Sequence, residues 1–172
     1  MSELNRLHEA ISATIKAALP QFETVEAYVS ADHTTVLPAL FHSITGLKPG
    51  DDPGDGRVRV IATFDARIFV ASASQHAALE AVTLASQVTV LLRKQFWAQD
   101  FVDEAQAVQA RPVQAPADAV VPHSWTVQWE QALYLGERQW PWPDEPGPLA
   151  FAFSPDTGPS FEADYQTSED LQ

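Results

Sequence analysis

The most regular stretch of the chain is RVRVIATFDARIFVAS, residues 57–72. Val58, Val60, Ala62, Phe64, Ala66, Ile68 and Val70 fall on one face of an extended chain, and Arg57, Arg59, Ile61, Thr63, Asp65, Arg67 and Phe69 fall on the other. A two-residue period of that length predicts a long strand whose register is strongly specified, because a one-residue slip would exchange the faces. HSWTVQWEQALYL (123–135) alternates in the same way, with Trp125, Val127, Trp129, Gln131, Leu133 and Leu135 on one face and Thr126, Gln128, Glu130 and Tyr134 on the other; Gly136 ends it. Shorter extended stretches are expected at 22–30 and 36–47, with Pro38 marking an edge or a strand start. A further strand around 105–114 is broken by Pro112 and Pro116.

Two segments follow the helical period instead. In residues 2–19, Leu4, Leu7, Ile11, Ile15, Ala18 and Leu19 recur at three- and four-residue steps. Asn5, Glu9, Ser12 and Lys16 lie on the wet side, Ser2 is placed as N-cap, and Pro20 follows the end. Residues 74–96 carry a broad stripe of Ala78, Ala81, Val82, Ala85, Val88, Leu91 and Leu92, with Ser72 or Ser74 as cap. The small residues of that stripe predict a central helix lying close on a sheet.

The 172 residues divide into a domain over 1–140 and a C-terminal arm over 141–172, which holds six of the thirteen prolines and three phenylalanines. A domain of this size buries roughly two thirds of its unfolded surface, and with no cysteine it has neither disulfides nor thiolate chemistry. The N-terminus lacks the unbroken apolar core of a secretion signal, and no run reaches the length of a membrane span, so a soluble chain made in the cytoplasm is expected.

The net charge is −13. Residues 139–172 contain seven acids (Asp144, Glu145, Asp156, Glu162, Asp164, Glu169, Asp170) and no base, while the first 138 residues hold all ten bases and sixteen acids. This balance argues against direct binding of nucleic acid, since like charge repels the phosphate backbone.

Motifs for catalysis and cofactors are missing. The loop GDDPGDG has Pro53 where a calcium loop needs its second ligand and Ala62 where it needs its closing Glu. The five histidines have no paired spacing for zinc, and there is no phosphate-cradling loop, dinucleotide fingerprint or nucleophile elbow. Asp103 and Glu104 read as a helix-end or loop pair and not as an acid/base dyad. The expectation is a protein that is not an enzyme and has no cofactor and no metal. Arg57, Arg59 and Arg67 admit three uses: binding an anionic ligand, cross-strand pairing with Glu130 or Asp65, or contact with an acidic neighbouring subunit. Trp140 and Trp142, flanked by prolines beyond Gly136, fit either a monomer core or an interface.

Several features in chain order resemble the small tail-terminator proteins of tailed bacteriophages, particularly those of Mu-like transposable phages with a lambda-type terminator fold. They are the first helix running into LPQFETVEAY, the strand RVRVIATFDARIFV with the Ala-rich helix after it, the late WTVQWEQALYLGERQW and the closing FSPDTGPSFEADY. The resemblance implies an α+β fold, a mostly antiparallel or mixed sheet with two main helices packed on one side and an extended C-terminal arm. It also implies a virion protein that assembles with itself as a ring, a hexamer, at the head-proximal end of the tail, after assembly in the host cytoplasm. Its partners would be the tail tube protein and a head–tail connector or neck protein, with DNA passing through the pore without specific binding and no membrane involved. Six copies would carry −78. Interface residues expected on this reading are Arg57, Arg59 and Arg67 on the strand, and Trp140, Trp142, Phe151, Phe153, Phe161 and Tyr165 on the arm. The alternatives are another neck or head-completion protein, or a small-molecule domain that binds an anion.

Overall fold

The computed structural model describes residues 2–32, 34–71, 76–113, 123–139, 150–153, 157–158, 160–161 and 165–167. Contacts divide the chain into two compact units, Met1–Gln139 and Trp140–Gln172. The first is an α+β unit in which two helices pack on one face of a mixed five-stranded sheet.

Helix α1 spans Glu3–Ala18. It starts where expected because the Ser2 hydroxyl accepts from the Asn5 N–H at 3.3 Å, while Glu3 in the first turn and Lys16 in the last oppose the helix dipole. Leu7, Ile11 and Ile15 are fully buried. Two expectations about its faces are corrected. Ala18 is exposed, and Ser12, assigned to the wet face, is half-buried and bonded to a strand.

Strands β1 (Thr24–Ala27), β2 (Ala39–Pro49), β3 (Val58–Val70), β4 (Gln106–Pro112) and β5 (His123–Leu135) form the sheet in the order β1-β2-β3-β5-β4. Only β1 runs parallel to its neighbour; the other pairs are antiparallel. The long β3 and β5 pair along their whole lengths, with Phe64 opposite Trp129 and Ile68 opposite Trp125. The two alternations therefore coincide: even residues of β3 and odd residues of β5 face the helices. Phe64 and Trp129 stack with ring centroids 5.1 Å apart, and each large aromatic removes about 150–250 Å² from water.

Helix α2 spans Ala77–Leu91 and lies over β3, β5 and β4. Its buried residues are Ala77, Ala81, Leu84, Ala85 and Val88, so Ala77 and Leu84 replace the expected Ala78, which is exposed. His76 holds the cap position without a side-chain cap bond, while Ser72 and Ser74 lie outside the described residues. The helix stops at Leu91, short of the expected 96. Lys94, Trp97 and Ala98 take left-handed backbone angles, and the turns they make carry Trp97 back into the core, where it is 2% exposed.

In the second unit, β6 (Ala150–Phe151) pairs antiparallel with β7 (Gln166–Thr167). The Gly158 N–H donates to the Tyr165 hydroxyl at 2.8 Å. Among the described residues no helix is long and apolar enough to cross a membrane.

Candidate interaction surface

Both helices cover the same face of the sheet, and no helix or strand of the first unit packs on the other, although Ala39, Phe41 and Thr126 at one end of it are buried. Across β2, β3 and β5 that open face carries Phe41, Ser43 and Lys48, then Arg59, Ile61, Thr63, Asp65, Arg67 and Phe69, then Thr126, Gln128, Glu130 and Tyr134. Arg57 extends the row just before β3. The three arginines that sequence alternation placed on one face do lie along one row, but their surroundings differ.

Arg57 is locked at one end. Its guanidinium makes two bonds to Asp55, at 2.8 Å from Nε and 2.7 Å in the ion pair, and its Cζ sits 4.9 Å from the centre of the Tyr134 ring. Hydrogen bonding to the Asp55 carboxylate raises the Arg57 pKa, and the same bond lowers that of Asp55. Arg138 adds a contact to Asp55 at 3.5 Å, and the Gln139 N–H donates to the Asp55 carbonyl. The GDDPGDG loop is thus a turn closed on the chain's own arginines. Gly56 is required in it: its φ is +86°, and a Cβ there would come 2.4 Å from Gln139 Cγ.

Arg59 stacks more loosely on Tyr134, 6.0 Å from its centroid, and reaches Asp51 only at 4.0 Å; its Nε is buried without a partner. Tyr134 in turn donates to Asp103 at 3.0 Å. Arg67 is exposed and makes no ion pair among the described residues. It lines a hollow of about 270 Å³ with Tyr28, Phe41, Ser43 and Asp65. The cross-strand partners anticipated for the arginines go elsewhere: Glu130 pairs with Lys48 at 3.0 Å, and Asp65 accepts from Gln128 at 2.8 Å.

On the second unit, Phe153 is 70% exposed, and Phe151 and Phe161 are also exposed. Tyr165 is half-buried within its loop. Trp140 and Trp142 lie outside the described residues.

Beneath the sheet are two buried polar clusters that sequence reading did not find. Gln131, 1% exposed, accepts from the indole N–H groups of Trp97 (2.7 Å) and Trp129 (2.9 Å) and donates to the carbonyls of Gln95 (2.9 Å) and Asp103 (2.8 Å). A glutamine on an otherwise apolar strand face was the available signal. In the second cluster, His8 Nδ1 lies 3.4 Å from His42 Nδ1, and His42 Nε2 lies 2.8 Å from Ser12 Oγ, with His8 Nε2 left bare. The tautomer that costs least puts the proton of His8 on Nδ1 and that of His42 on Nε2. Each then donates to the next group, and the bare atom is an acceptor and not a stranded N–H. Burial lowers both pKa values, that of His42 to about 3, with the nearby His8 contributing to the second.

Among the described residues no group of three or more His, Asp or Glu is placed to hold a metal ion.

No family model and no curated protein matches the chain. Among solved structures it aligns with one described as the sheath/tube terminator of an extracellular contractile injection system, PVC, in its extended state. The TM-score is 0.41 and the identity 14%, over 99% of this chain and 67% of that one, a likeness too distant to assign a role.

Proposed function

We propose that the chain is a structural, non-catalytic virion protein, a tail terminator that closes into a hexameric ring on the head-proximal end of a tail tube. There it stops tube polymerisation and offers its upper surface to a neck protein. The observation that carries this reading is the sheet face left open by both helices. It spans three strands, mixes Arg59, Arg67 and Lys48 with the half-buried Ile61 and Phe69, and has no helix or strand of the first unit over it. A face of that composition suits a protein partner, either the tube or a neighbouring subunit.

The second unit supplies an unlike patch. Its sequence holds seven acids and no base, and it shows Phe151, Phe153 and Phe161 to solvent. Contacts between unlike patches are heterologous, and heterologous contacts that close make rings. The net charge of −13 per copy would let DNA pass a central opening without being held.

Light scattering on the purified chain, alone and with tube protein, tests the reading. A ring in solution, or capped tubes of fixed length, is expected; a monomer that neither caps nor shortens tubes refutes it. Arg59→Glu with Arg67→Glu should weaken assembly and flatten its salt dependence. Arg67 should account for most of that loss, since Arg59 is already stacked on Tyr134.

A further inference from the structure

The sheet order leaves two different free edges, β1 at one end and β4 at the other. Among the described residues each is hydrogen-bonded on one side only. The β1 edge is also undercut. A shallow groove of about 550 Å³ runs between α1 and β1, floored by Ala13, Val25, Ala27 and Val29. His8 lines it, 9% exposed, with its Nε2 lacking any partner.

The two edges differ in charge. Glu9 and Glu26 stand along the groove with Lys16 as the one opposing base, and Glu23 precedes the strand. Strand β4, QAVQARP, has Arg111 and no acid, and nearly all of it is exposed. Gln106, Gln109 and Arg111 lie on its open face, the face on which Glu26 stands on β1, so Arg111 is placed to meet Glu26.

We infer that the β1 edge and its groove receive the β4 edge of a second copy, so that one sheet continues into the next subunit's sheet. The identity of the occupant as a second copy rests on the ring proposed above; the placement of the contact rests on the edges themselves. The contact is head-to-tail, because β1 meets β4 and never another β1, and a contact of that kind can close only as a ring or run on as a filament. Main-chain bonds between the strands supply affinity, while the groove and the charge pairing set the register. The irregular Ala107, at φ +50°, and Pro112, which has no N–H, confine pairing to the run Val108–Arg111, about the length of β1.

The chain has no cysteine, so a crosslink reports directly. In full-length protein, Ala27→Cys is combined in turn with Gln109→Cys, Ala110→Cys and Arg111→Cys. Residues facing each other on paired strands lie about 4.5–5.5 Å apart, within disulfide reach. Mild oxidation of concentrated protein should give, for at least one pair, a ladder of covalent multimers that reductant collapses. The pair Leu79→Cys with Val90→Cys, on the exposed side of α2, should give none. No ladder from any β1–β4 pair, in protein that light scattering shows to be oligomeric, overturns the edge contact and leaves the ring standing. Protein that stays monomeric and does not cap tubes overturns both. A charge exchange gives a second readout: Arg111→Glu or Glu26→Arg alone should weaken association about tenfold, and the two together should recover most of it. A double variant no better than the worse single one counts against the contact.

Discussion

Two buried polar clusters lie in the same helix–sheet layer, and they are built to different standards. At Gln131 every hydrogen-bonding position of the amide is filled, two indole donors on its oxygen and two carbonyls under its nitrogen. The cluster ties the loop after α2 to the middle of β5, and although Gln131 and Asp103 border a hollow, no polar atom of the Gln131 amide is left without a partner. At His8 and His42 a chain of bonds runs to Ser12 and then stops, leaving one nitrogen bare beside a groove at the free sheet edge. A filled cluster specifies one arrangement of its elements, since any shift strands several groups at once. A cluster with an open valence near the surface costs some stability and leaves a position that a partner can fill. Of these two clusters the one around β5 is fully satisfied, and the one beside β1, where the inferred subunit contact lies, is not.

The sharpest way to break this contrast is Gln131→Leu. The side-chain volume is nearly kept, but two indole N–H groups and the Asp103 carbonyl lose their partner together, while the Gln95 carbonyl keeps the Ala105 N–H. Each orphaned buried group costs about 1–3 kcal/mol, and with partial relaxation the loss should reach about 3–5 kcal/mol in denaturant unfolding. A loss below about 1 kcal/mol would mean that the indoles find other acceptors, and that the two clusters do not differ in kind.

Acid acts on the other cluster. Both histidines have folded-state pKa values lowered by burial, His42 to about 3 against 6.5 when unfolded. The His42 contribution is thus fully present above pH 6.5 and is lost as pH falls toward 3, because only the unfolded chain takes up the proton; His8 adds in the same direction. Each such group contributes a slope of about 1.4 kcal/mol per pH unit within that window. Stability at pH 4.5 should lie about 2–3 kcal/mol below that at pH 7, and His42→Asn should flatten the curve. The carboxylates of Asp55 and Asp32, depressed by hydrogen bonds, act toward the acid end and outside the comparison of pH 4.5 with pH 7. An unchanged slope in His42→Asn would show that the pair is not what titrates.

How far the sequence disclosed this arrangement differs between the same two regions. The alternations of β3 and β5 run long enough to set their faces, and β5 spans His123–Leu135, the residues its pattern marks out. Ser2 caps α1 through a bond only three residues long, which local sequence displays. The end of α2 was hidden, because its apolar stripe continues into Leu92 while the backbone turns left-handed to bury Trp97. His8 and His42 are 34 residues apart and meet only through the packing of α1 on β2, so no spacing announces them. On the open face, alternation aligned the three arginines but could not say that Asp55, two residues away, already holds Arg57, since that depends on how the loop before β3 closes.

The smallest expected effect separates two accounts of the histidine chain. With the tautomer assigned above, His42 Nε2–H donates to Ser12 Oγ, and Ser12→Ala removes an acceptor, leaving a buried N–H unmet. With the opposite tautomer the hydroxyl is the donor, and its loss leaves a bare nitrogen like that of His8, which costs less. The first case predicts about 1–2 kcal/mol and the second under about 1 kcal/mol. Nitrogen-15 shifts of the two imidazoles at pH 7 identify the protonated atoms directly. A protonated Nε2 on His8 would place an unpaired donor, and not an acceptor, beside the groove. The partner group that completes the cluster would then have to be a carbonyl or carboxylate.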